Sequence, residues 1–149
     1  MRAAFLALAL LALPAPAMAC QTMPFPGTEE AEALRAVEGG ASLLHFRVTK
    51  REILPLERGY GGDYGRLQIE LIDALNVDED VAPGPATLAI YGGAFGYTAP
   101  EAGPAEYVVL AGIGDGASRI WAVMTHPCRG TPLFRADSAT GRQLIAAAK

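Results

Sequence analysis

Two cysteines and two histidines are all that this 149-residue chain offers for sulfur or imidazole chemistry, and that scarcity excludes much. A zinc site would need both histidines, His45 and His126, together with carboxylates or the cysteines, and no helical stretch carries two ligands at i and i+4. Past Leu13 no run is long enough to cross a bilayer, which takes about 20 apolar residues. The longest later uncharged apolar run, Val108 to Ile113, is interrupted by Gly112. Basic residues number 12 against 16 acidic ones, so the surface repels phosphate backbones and nucleic acid is not an expected partner. The chain also has no internal repeat and no low-complexity tract.

Enzyme motifs are missing as well. Gly59-Tyr-Gly-Gly and Gly112-Ile-Gly-Asp-Gly lack the strand–loop–helix setting and the Lys-Ser/Thr pair of a phosphate loop, and read instead as hairpin glycines at positive φ. Ser42, Ser118 and Ser138 stand outside any nucleophile elbow. Asp78-Glu79-Asp80 lacks the alternating ligands and closing Glu of a calcium loop and reads as a solvated turn. His126 and Cys128 make a poor catalytic pair, with Pro127 between them and no orienting Asn or Asp. The expectation is therefore no catalytic residue, no cofactor and no intrinsic metal.

What is present begins with an export signal. Arg2 precedes an unbroken apolar run from Ala3 to Leu13, Pro14 and Pro16 break it, and Ala17-Met18-Ala19 supplies the small residues that signal peptidase reads. Residues 1–19 are thus expected to be removed. The remaining 20–149 form one domain of 130 residues with net charge −5, exported to the periplasm or the extracellular space. Two fates stand open for Cys20. Ordinary cleavage leaves its sulfur free to bond Cys128, closing a 109-residue loop worth about 4–5 kcal/mol in the chain-entropy model. Lipidation would instead anchor the chain to a membrane through Cys20 and leave Cys128 alone.

Along the mature chain, Thr28 caps a short helix with Glu29 and Glu30 in its first turn and Gly39-Gly40 at its end. From Ala41 the apolar period falls to two: Leu44, Phe46 and Val48 alternate with His45, Arg47 and Thr49, giving a strand with a dry and a wet face. His45 belongs to the wet face. A second strand from Tyr64 places Leu67, Ile69 and Leu71 inward, and 76–84 is an acidic loop. Three more strands follow, at 86–91, 106–111 and 119–125, of which 106–111 is apolar on both faces and hence central. A last helix starts near Ser138 or Thr140 and runs through Leu144 and Ile145 to the end. The expected fold is mainly β: a five-stranded OB-like barrel, closed or nearly closed so that sheet edges are removed, with a helix at each terminus; an open β-sandwich is the second choice.

A cysteine as first mature residue, a helix, five strands, the strand Gly103-Pro-Ala-Glu-Tyr-Val-Val-Leu-Ala111, and a late Cys128-Arg-Gly-Thr-Pro before a terminal helix together resemble the netrin-like domains. That group includes the tissue inhibitors of metalloproteinases and small exported bacterial relatives. The resemblance implies an OB-type barrel, two helices side by side, and an amino-terminal cysteine fastened to the body of the domain. It also implies that Cys20 presents a zinc-chelating amino group and carbonyl to a protease, with the adjoining Gln21 as a partner-binding residue. Thr22 stands where those domains usually have a second cysteine. Tyr60, Tyr64, Tyr91, Phe95 and Tyr97 cluster in or beside glycine-rich loops, where aromatics either make a contact surface for a protein partner or plug the barrel ends.

Overall fold

The computed structural model describes residues 28–54, 64–77, 81–91, 99–115, 117–124 and 133–149. The leader at 1–19 lies outside them. The described chain is mainly β, with one helix before the sheet and one after it. Helix α1 spans Thr28–Glu38 and carries Glu29 and Glu30 in its first turn, where negative charge complements the helix dipole. It ends in a Schellman turn. The Gly40 amide donates to the Val37 carbonyl and the Ala41 amide to the Ala36 carbonyl, both at 2.9 Å, with Gly40 at φ +91°.

Seven strands follow where five were expected: β1 Leu43–Leu54, β2 Tyr64–Leu75, β3 Gly84–Tyr91, β4 Glu106–Leu110, β5 Ile113–Asp115, β6 Ile120–Met124 and β7 Leu133–Arg135. The two extra strands are three residues long, too short for a period of two to show in the sequence. Gly112 and Gly114, expected in a positive-φ hairpin turn, border or form β5 instead. The left-handed residue beside that strand is Arg119, at φ +54°. Gly114 is required for a different reason: it pairs with Trp121, and a Cβ there would run into the indole.

The sheet order is β5-β6-β3-β2-β1-β4-β7. Strands β1, β2 and β3 form an antiparallel meander, and β3 pairs with β6 in parallel. Although β5 ends that order and β4 stands next to the other end, inside β7, only Ala111 and Gly112 separate them in the chain. The Ala111 amide donates to Ser42 beside β1 at 2.9 Å, and the Gly112 amide to Ala122 of β6 at 3.0 Å. The sheet must therefore curl until those two strands meet. Register shifts between β1 and β2 at His45/Phe46 and Val48/Lys50 supply the bends that let two 12-residue strands follow the curve.

Curling separates two apolar clusters. Inside lie Leu44, Phe46, Val48, Leu67, Ile69, Leu71, Leu88, Ile90, Val109, Trp121 and Val123. Outside, Leu43 and Val108 meet Ala33 and Val37 of α1 and Leu144 of α2, the closing helix at Ala139–Ala147. This explains why β4 is apolar on both faces: Val109 points into the curl and Val108 under the helices, and both are fully buried. The helices also touch each other. Leu144 and Val37 are each worth about 1.5–3 kcal/mol of burial.

Candidate functional site

Most of the residues singled out in the sequence lie outside the described residues: Cys20, Gln21, Tyr60, Phe95, Tyr97, His126 and Cys128. The disulfide expected between Cys20 and Cys128 lies there too. Tyr64 and Tyr91 have described backbones, and the fold makes them direct register partners at the start of β2 and the end of β3. Leu54, the last residue of β1, pairs with Tyr64, and Met124, the last residue of β6, pairs with Tyr91. Four strand ends thus share one row. The connections that hold Tyr60, then Phe95 and Tyr97, then His126 and Cys128, all attach to it.

A second constellation, which the sequence did not announce, lies on the outer face where β1 and β4 emerge from beneath α2. The same two-residue alternation that turns Leu44, Phe46 and Val48 inward turns Leu43, His45 and Arg47 outward. Leu43 is covered by the helices. His45 lies beyond that apolar contact, yet it is not the solvated residue expected: its side chain is only 16% exposed, and Nε2 sits 3.0 Å from Oε2 of Glu106. Glu106 opposes Arg47 in the β1–β4 ladder and accepts from it at 2.9 Å through Oε1. A carboxylate accepts only, so the proton between Glu106 and His45 belongs to Nε2, and in the neutral ring Nδ1 is then the acceptor. Among the described residues no group bonds Nδ1.

His45 and Glu106 border a shallow groove of about 490 Å³, also lined by Pro104, Ala105, Arg135, Ala136, Asp137, Arg142 and Ile145. Its far wall is set by the turn into α2. The Ser138 hydroxyl donates to the Arg135 carbonyl at 2.6 Å and accepts from the Gly141 amide at 3.0 Å, so one side chain both closes the turn and caps the helix. Gly141 allows the close approach, because a Cβ there would collide with the Arg135 carbonyl oxygen. Arg135 grips Asp137 with two hydrogen bonds of 2.9 and 2.8 Å. That grip holds the Asp137 carboxyl below its ordinary range, with Arg142 adding a smaller pull in the same direction, and raises Arg135 in turn. Arg142 itself donates to the Asp137 backbone carbonyl.

Sequence reasoning missed Glu106, Arg135, Asp137 and Arg142 as members of one site. The alternation of β1 did place His45 and Arg47 on a common face. Their partner lies about 60 positions along the chain, however, and only strand pairing brings it near. Among the described residues no three His, Cys, Asp or Glu side chains gather as metal ligands, and no helix is long and apolar enough to cross a membrane. No protein-family model, no curated protein and no solved structure matches this chain.

Proposed function

We propose that the chain is an exported, non-enzymatic binding module built on a five-stranded OB-type barrel of the netrin-like kind, and that it engages a protein, with a zinc protease as the first candidate. Support for the barrel is topological. Counting β4 and β5 as one strand bent at Ala111-Gly112 and setting aside the short β7, the pairing is a three-stranded meander, a parallel β3–β6 contact, and one strand shared by both edges. The two helices packed against each other on the outer face agree with the same architecture.

The observation that carries the binding half is the row Leu54, Tyr64, Tyr91 and Met124, which collects the attachment points of the three aromatic- and cysteine-bearing connections at one end of the sheet. Aromatics presented together on connections of a rigid sheet are the usual anchors of protein contacts. The groove suits a binding role: His45 is oriented by a carboxylate, and among the described residues no serine, threonine or cysteine lines the groove with it.

A panel of zinc proteases tests the proposal, comparing the mature protein with a form carrying one extra residue before Cys20. Inhibition that disappears on extension supports chelation by the amino terminus; equal potency, or none, removes the protease as partner. Intact mass decides the state of Cys20. A mass two hydrogens below the dithiol supports the disulfide, and a diacylglyceryl adduct would make the protein a membrane-anchored envelope scaffold. Turnover lost in His45→Ala or His126→Ala without loss of folding would replace the binding module with a small hydrolase.

A further inference from the structure

We propose that the groove between β4 and the start of α2 is a separate binding site, one that takes the C-terminal end of an extended peptide with an apolar last residue. It uses none of the residues at the row of strand ends. The assignment comes from matching the unspent polar capacity of the groove to a ligand. Charge is the first element. Glu106 is matched by Arg47, and Asp137 is matched by Arg135 through a two-pronged contact. Arg142 lines the groove with its positive charge and, among the described residues, no carboxylate pairs with it. The lining itself holds two arginines and two carboxylates; with Arg47, which stands beside the groove and neutralises Glu106, three cations face two anions, and the partial positive charge at the start of α2 has the same sign as that surplus. A single excess cation matches a carboxylate, which carries one negative charge, better than a phosphate, which carries nearly two.

The second element is the acceptor. With Nε2 of His45 donating to Glu106, Nδ1 of the neutral ring is left as the acceptor of a residue that lines the same groove. A peptide end supplies a backbone N–H close to its terminal carboxylate; a fatty acid or a simple organic anion does not. The third element is apolar: Pro104, Ala105, Ala136 and Ile145 line the remaining wall and suit one aliphatic side chain. A volume of about 490 Å³ falls within the ~300–1,000 Å³ of small-ligand sites and holds the last few residues of a chain. The openness of the groove lets the rest of that chain leave into solvent. Carboxylate, amide N–H and aliphatic side chain in close succession are the C-terminal signature that backbone and side-chain nests capture elsewhere.

The test is a titration of the ¹⁵N-labelled mature protein with N-acetyl-Ala-Leu-Val as the free acid, with the same peptide as its C-terminal amide, and with sodium acetate. The expected result is saturable movement of the Ala105, Glu106, Ala136 and Arg142 amide signals by the acid, with the amide binding at least about tenfold more weakly for loss of a charge-assisted contact. Arg142→Gln should weaken the acid about as much while leaving the amide unchanged, and Arg142→Lys should retain part of the difference. Arg142 is exposed, so both variants should fold, as circular dichroism will verify. Equal binding of acid and amide, movement confined to other parts of the sheet, or no movement at millimolar peptide each overturns the assignment. Acetate acting as strongly as the peptide overturns it too, since it would reduce the site to a simple anion contact.

Discussion

The two faces of β1 are stabilised on different terms. Inward, Leu44, Phe46 and Val48 are at most 1% exposed and are surrounded by β2, β3, β4 and β6, so each is held by several strands at once. Outward, three residues of the same spacing meet three different fates: Leu43 is buried under the helices, His45 is mostly buried against Glu106, and Arg47 reaches the surface. The contrast teaches that burial on the inner face is collective, whereas on the outer face it depends on where one short helix comes down. Because α2 begins at the level of Glu106, the apolar cover stops there and a polar groove opens. A core closed by the curl of a sheet and a groove closed by a single cap should respond differently to mutation.

The sharpest way to expose that difference is Phe46→Ala. Removing a fully buried ring from the inner cluster should cost about 3–5 kcal/mol in denaturant unfolding, with global loss of amide protection. Next comes Gly141→Ala. Its new Cβ meets the backbone of Arg135 and Ala136, which cannot yield by rotating a side chain, so α2 must lift from the turn at a cost of about 1–3 kcal/mol. Hydrogen exchange should then quicken in 139–147 ahead of β1–β3; uniform quickening would erase the distinction between the faces.

Ser138→Ala removes the cap and should cost about 1 kcal/mol, with the change confined to the first turn of α2. The smallest effect concerns pH. The Asp137 carboxyl is held low by Arg135, so it contributes stability above its unfolded-state pKa, near 3.9, and that contribution fades as pH falls through the lower folded-state value. The pair is exposed, and solvent screening keeps the contribution small. Carboxyl-carbon NMR should show Asp137 titrating below the ordinary aspartate range, and Arg135→Gln should return it there. An unchanged midpoint would mean that the fork does not form in solution.

The same contrast explains what could be read in advance. Both helices were legible, because their boundaries are written locally: acidic residues after Thr28, the Gly39-Gly40 stop, and Ser138 three residues before Gly141. Strands β1 and β2 were legible from alternation, and so was the double-sided burial of β4. The short strands β5 and β7 were not, since pairing rather than pattern defines them. His45 was misjudged for a related reason. A polar residue on an outward face reads as solvated unless the partner strand is known, and Glu106 becomes its neighbour only through the β1–β4 ladder.

By itself, the order of residues settled which stretches prefer helix or strand and which face of β1 and β2 avoids water, because those preferences act over a few residues and need no distant partner. Only the tertiary structure decided that Ala111 and Gly112 lead from β4, beside β1, to β5 at the far end of the sheet, that Tyr64 lies opposite Tyr91, and that Arg47, Glu106 and His45 form one chain of contacts. Such contacts depend on register, and register is the joint outcome of every strand packing at once.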